Sequence, residues 1–127
     1  MAEKSPVDTV NKLIEAINRG DLNAALAQYE PHAILVAEPG KSATGTKAIR
    51  TALEGFIALR PTLRGDTHQF LEGDNLALFC SRWTLTGTGL DGKPVEMGGT
   101  SSDVLRRQAD GNWLIVIDNP WGTALLG

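Results

Sequence analysis

The chain has 127 residues, is 42% hydrophobic and 21% charged, and carries a net charge of −3, which suits one soluble domain over residues 1–127 with a sizeable core. That acidic balance argues against a nucleic-acid surface, and no run of about 18 apolar residues offers a membrane span. The single cysteine, Cys80, excludes an intrachain disulfide, and two separated histidines, His32 and His68, offer no metal cluster.

No Gly-rich loop leads from a strand into a helix, so neither a metal nor an organic cofactor is expected. The first residues lack the apolar core of a signal peptide, so a cytoplasmic location is expected. Ser5-Pro6-Val7-Asp8 predicts a helix start: serine caps, proline suits the first helical position, and Asp8 meets the electropositive first turn. Val7, Val10, Leu13, Ile14 and Ile17 then recur at helical spacing, and Gly20 ends the helix. Asp21 can cap a second helix with Leu22, Ala25, Leu26 and Tyr29 inward and Pro31 as its stop. Ala33 to Ala37 reads as a short buried strand, Glu38-Pro39-Gly40 as a turn, and Lys41 to Gly45 as a loop. Thr46 can cap a third helix over about Lys47 to Leu59, closed by Pro61.

From Thr62 the apolar period changes from 3.6 to 2. Leu63 to Leu71 is a polar strand, and Leu76 to Thr88 is a long one. Pro94 to Gly122 reads as two long antiparallel strands joined at Asp110-Gly111, a strong hairpin signal. Gly87, Gly89, Gly98 and Gly99 mark bends on neighbouring strands. The pattern predicts an α+β fold: three N-terminal helices packed on a strongly curved antiparallel sheet, leaving a cavity between them. The convex side is too apolar to stay wet, so a homodimer through that face is expected.

Two acids stand out. Asp103 sits mid-strand, where it must reach solvent, pair with Arg82, Arg106 or Arg107, or line a cavity. Ser101, Asp103 and Leu105 share one face of that strand. Glu38, in its turn, is either a solvated acid or a general base at a pocket rim. His68 is either exposed on its polar strand or paired with Asp103 for dehydration chemistry. Trp83 and Trp113 read as core or dimer surface, Tyr29 as core, Cys80 as a small buried hydrophobe, and His32 as surface.

Several motifs in the right order carry a resemblance: Ala16-Ile-Asn-Arg-Gly-Asp-Leu22, Glu38-Pro39 with Gly45-Thr-Lys-Ala-Ile-Arg50, Asp103 through Trp113, and Val116-Ile-Asp-Asn-Pro-Trp-Gly122. Over nearly its whole length the chain resembles the nuclear transport factor 2-like superfamily, also called SnoaL-like or ketosteroid-isomerase-like. Its tail is closest to the small SgcJ/EcaC-type branch. The resemblance implies a cone-shaped, cystatin-like roll.

For the site, the resemblance implies a carboxylate base at Glu38 and a protonated aspartate at Asp103. The position of an oxyanion-binding tyrosine falls on Leu13, which has no hydroxyl; losing one such donor costs about 10²–10³ in rate. Trp121 matches a pocket aromatic one residue out of register. Leu13, Tyr29, His68 and Trp121 are thus the expected substrate-binding residues, and Glu38 and Asp103 the expected catalytic ones, converging on one cavity. The implied activity is isomerisation or cyclisation of a small apolar ketone or polyketide-like molecule by proton transfer. The alternatives are dehydration by His68 and Asp103, non-catalytic ligand binding, and an association domain.

Overall fold

The computed structural model describes residues 4–127. The signal-peptide reading also draws on residues 1–3, which lie outside the described residues. Among the described residues, three α-helices pack on one six-stranded, curved and unclosed sheet, the α+β architecture expected from the change of period.

Helix α1 spans Pro6–Asn18 and opens with a capping box. The Asp8 amide donates to Ser5 Oγ at 3.4 Å, and the Ser5 amide donates to Asp8 Oδ2 at 3.2 Å, so two orphan amides of the first turn are satisfied reciprocally. Leu13, Ala16 and Ile17 form its buried stripe. Helix α2 is a single short turn, Leu22–Leu26, capped by Asp21, whose Oδ1 accepts from the Ala24 amide at 3.0 Å.

Strand β1 then runs Tyr29–Glu38, taking Tyr29 out of the helix the sequence predicted for it and placing Pro31, its expected stop, inside a strand. The cause is long-range pairing. The Ile115 amide donates to the Gln28 carbonyl at 2.8 Å, and Tyr29 lies opposite Ile115. Proline cannot donate to a ladder; Pro31 sits where the pairing is interrupted, between Tyr29 and Ile34. Strand β2, Lys41–Thr44, forms in place of the expected loop, turned back by Gly40 at φ 86°. Helix α3, Thr46–Ile57, is preceded by Gly45 at φ 87°, a conformation glycine adopts freely; Thr46 is therefore the first helical residue rather than the cap.

Strands β3 (Thr62–Glu72), β4 (Leu76–Thr88), β5 (Pro94–Arg107) and β6 (Trp113–Asp118) complete the sheet in the order β2-β1-β6-β5-β4-β3. The last strand ends at Asp118, and a 3₁₀ turn at Gly122–Leu126 follows. Every adjacent pair is antiparallel except β1 with β6, which is parallel, so the sheet is mixed rather than wholly antiparallel. Residue pattern encodes which faces of a strand are buried, not the direction of its neighbour. The apolar run of β6 fits its inner position, between β1 and β5.

Curvature comes from irregular places in the ladders. Pairing slips between Gly65 and Thr67 on β3. At Gly87 a Cβ would lie 2.6 Å from the Leu59 carbonyl oxygen, and the Thr88 amide donates to that same oxygen at 2.7 Å. This close approach fastens the end of α3 to β4. The core lies between the helices and the concave face, built from Leu35, Ile49, Leu53, Leu105, Trp113 and Ile115. Thr9 Oγ1 of α1 donates to the Trp113 carbonyl at 2.7 Å, pinning the first helix to β6. Among the described residues no helix is long and apolar enough to cross a membrane.

Candidate functional site

Helices α1 and α3 do not fill the concave face, and a cavity of about 360 Å³ remains. Alternation along β5 sends Ser101 and Asp103 into it. From β6 comes Asp118, and from the start of β1 comes Tyr29. A one-residue slip makes the acids neighbours. Leu105 lies opposite Ile115, yet Val104 lies opposite Ile117, so Val116 is the extra residue of a bulge. The next step along that ladder sets Asp118, rather than Ile117, beside Asp103.

The acids are wired together. Tyr29 donates its hydroxyl to Asp118 Oδ2 at 2.5 Å, and the Asn119 amide donates to Asp103 Oδ1 at 2.8 Å. The Asp103 and Asp118 carboxyls lie within reach of one shared proton, and the Ser101 side chain adjoins Asp103. Ser101 Oγ in turn lies 2.7 Å from Ser81 Oγ on β4. A polar ladder thus crosses the floor of a mainly apolar chamber.

Burial pushes Asp103 well above the usual carboxylate range, and the charge of Asp118 pushes it further. Burial raises Asp118 as well, but the hydrogen bonds from Tyr29 and Asp103 draw it back. The upward push is larger on Asp103 than on Asp118, so the pair suits sharing one proton with Asp103 as its donor side. Burial and that same negative charge push the Tyr29 hydroxyl far above its ordinary value, so it stays a donor. Two ionised carboxylates in contact would repel by about 4 kcal/mol at an effective dielectric constant near 20.

The ion pair considered for Asp103 does not form. Arg106 pairs with Glu30 at 3.0 Å and Arg107 with Glu72 at 3.4 Å, while Arg82 is exposed and alternates away from Ser81. The lining includes neither lysine nor arginine.

Leu13, Tyr29, His68, Asp103 and Trp121 all line this one cavity; Glu38 does not. Glu38 is exposed at the β1–β2 turn, where its Oε1 meets Lys41 Nζ at 3.0 Å. The hairpin register accounts for this, because Glu38 pairs directly with Lys41 after a bulge. His68 stacks on Phe79, ring centroids 5.4 Å apart. Trp121 donates its indole N–H to the Val36 carbonyl at 3.0 Å and meets Trp83 edge-on, and Trp83 donates to the Pro120 carbonyl at 2.6 Å. These bonds hold the segment after β6 across one side of the cavity. Asp118 was missed in the sequence. Its signal was an acid closing the apolar run Trp113-Leu-Ile-Val-Ile117. Among the described residues, no group of three or more His, Cys, Asp or Glu could hold a metal ion.

The family model described as a SnoaL-like domain matches residues 10–116. Solved structures share the fold. An NTF2-like protein with a cystatin-like fold from Novosphingobium aromaticivorans is 14% identical, with 94% of this chain and 85% of that one covered at a TM-score of 0.77. A protein from Shewanella frigidimarina proposed to be a ketosteroid isomerase is 21% identical, with 87% and 90% covered and a TM-score of 0.75. The association domain of the Caenorhabditis elegans kinase CaMKII is 16% identical, with 88% of each chain covered and a TM-score of 0.69. At these identities the likeness is one of fold. No curated protein matches the chain.

Proposed function

The chain belongs to the SnoaL-like domain family, within the NTF2-like superfamily, and from that premise we propose that it binds one small apolar carbonyl compound and transfers protons on it. The observation that carries this reading is the buried pair Asp103–Asp118, two adjacent carboxyls in a mainly apolar cavity whose lining has neither lysine nor arginine. A carbonyl oxygen entering the cavity takes over the hydrogen bond that Asp103 otherwise gives to Asp118. That bond strengthens as negative charge develops on the oxygen during enolisation. Asp118 keeps its bond from Tyr29, so the displaced partner is not left bare.

Two bases compete for the α-proton: Glu38, marked by the resemblance, and His68. Sharing the cavity with Asp103 favours His68. The same two residues support a second reading. In a β-hydroxy ketone, His68 would take the α-proton and Asp103 would protonate the departing hydroxyl, giving the enone and water.

The test is exchange of α-protons into D2O, followed by NMR on a panel of one- and two-ring ketones. The protein should speed exchange, and His68→Ala should lower the rate about 10²-fold or more, while Glu38→Gln stays within about twofold. The reverse order moves the base to Glu38. Binding without exchange above buffer for every ketone makes the protein a carrier. Water loss from β-hydroxy ketones in place of simple exchange selects the second reading.

We also propose that a second copy covers the convex face. Leu71 lies opposite Leu78, and Leu78 opposite Val104, so apolar side chains run across β3, β4 and β5; Leu71 is 72% exposed. The likeness to an association domain supports assembly. Sedimentation at micromolar concentration should give about twice the 13.6 kDa chain mass, and Leu78→Glu should return it to one.

A further inference from the structure

We propose that the cavity discriminates by charge, accepting uncharged carbonyl compounds and rejecting anions of the same shape. The proposal rests on the reading of the cavity as a site for carbonyl compounds and specifies which of them enter. The titratable groups in the lining are Glu15, Tyr29, His68, Asp103 and Asp118. Carboxyls dominate, and neither lysine nor arginine joins them. The strongest donors on the floor are already committed: the Tyr29 hydroxyl to Asp118, and the Asn119 amide to Asp103. What a ligand can meet is a carboxyl proton of the acid pair, the hydroxyls of Thr67, Ser81 and Ser101, the Asn11 amide and the His68 ring.

A carbonyl oxygen needs only one or two such donors. A carboxylate or phosphate needs compensation for its full charge, and here it would come to rest beside two adjacent carboxyls with neither lysine nor arginine to offset it. The walls set the rest of the class. Phe79, Trp83 and Trp121 are flat aromatic surfaces, and about 360 Å³ equals the liquid volume of about a dozen waters, suiting a skeleton of one or two fused rings. The natural ligand is therefore a free, neutral ketone. The step that supplies it must end in an uncharged product, as decarboxylation of a β-keto acid or oxidation of a secondary alcohol does.

Three isosteric probes test this at pH 7.5 by calorimetry: 2-acetylnaphthalene, 2-naphthamide and 2-naphthoate. They share a ring system and differ at one atom beside the carbonyl, and only the last is charged. The ketone and the amide should bind at least about tenfold more tightly than the carboxylate. Equal or tighter binding of 2-naphthoate overturns the proposal, as does an amide as weak as the carboxylate, which would make the preference one for the methyl group. If the neutral probes bind with the expected preference but the ketone undergoes no α-proton exchange, charge discrimination stands and the proton-transfer reading fails. If none of the three binds at millimolar concentration, both fail.

Discussion

Trp113→Ala should remove about 3–5 kcal/mol of stability, a large share of the 5–15 kcal/mol that holds a typical domain together. Trp113 opens β6, is 2% exposed, and lies in the core with Leu105 and Ile115. Its ring packs beneath the Arg107 guanidinium, 5.0 Å from the ring centroid, and its carbonyl anchors Thr9. Alanine keeps the carbonyl and empties the space. Phenylalanine should behave quite differently. Among the described residues the Trp113 indole N–H is buried with no hydrogen-bond partner. Removing it relieves a desolvation penalty of about 1–3 kcal/mol, against a modest loss of volume. Trp113→Phe should therefore stay within about 1 kcal/mol of the parent. Urea midpoints at unchanged m-value measure both. A phenylalanine variant as weak as the alanine one would mean that the indole N–H is satisfied.

Asp103→Asn should trade activity for stability. The fold raises the Asp103 pKa, so the native chain holds that proton more tightly than the unfolded chain does. The stability from this tighter hold is fully present below the ordinary carboxylate value of about 3.9 and is lost as pH rises through the raised value. Asp118 adds to the trend in the same direction. Asparagine keeps the geometry: its carbonyl can accept from the Asn119 amide and its NH₂ can donate to Asp118. It carries no titrating proton. The variant should match the parent near pH 4 and exceed it near pH 8 by about 0.5–2 kcal/mol, within the range of stabilising replacements at functional sites. Proton exchange on a bound ketone should fall by about 10²-fold or more, since an amide N–H is a much weaker donor to the developing oxyanion than a carboxylic acid. A parallel pH dependence of the two stabilities would remove Asp103 as the titrating group. An exchange rate within a few-fold of the parent would remove the Asp103 carboxyl proton from stabilising the oxyanion.

The sequence revealed most where neighbours along the chain decide the outcome. Ser5 and Asp8 cap α1 as local chemistry requires, the helical stripe through Leu13 and Ile17 points inward, and Asp110-Gly111 turns the last hairpin with Gly111 at φ 85°. It revealed least where a distant partner decides. Tyr29 is compatible with a helix face, and only pairing with Ile115 draws it into a strand. Alternation along β5 placed Asp103 on an inward face, but its partner could not be read from spacing. A single bulge at Val116 substitutes Asp118 for Ile117 as its neighbour, and bulges leave little trace in one sequence. Glu38 shows the converse. Its acid-proline motif suggested a catalytic base, yet pairing with Lys41 turns it outward.

The parallel seam between β1 and β6 has a bearing on how the chain is made. Strand β1 is complete by Glu38, yet the neighbour it needs on that side begins only at Trp113. During synthesis α1, α2 and the β1–β2 hairpin emerge first and wait, with Leu13, Ile17 and Leu35 uncovered, while α3 and β3 to β5 are added. At about 5–20 residues per second that interval lasts some seconds. That pairing cannot form until Trp113–Asp118 has been made, and closing so long a loop adds to its entropic cost. The acid pair is assembled by the same event, so no partly made chain carries the site.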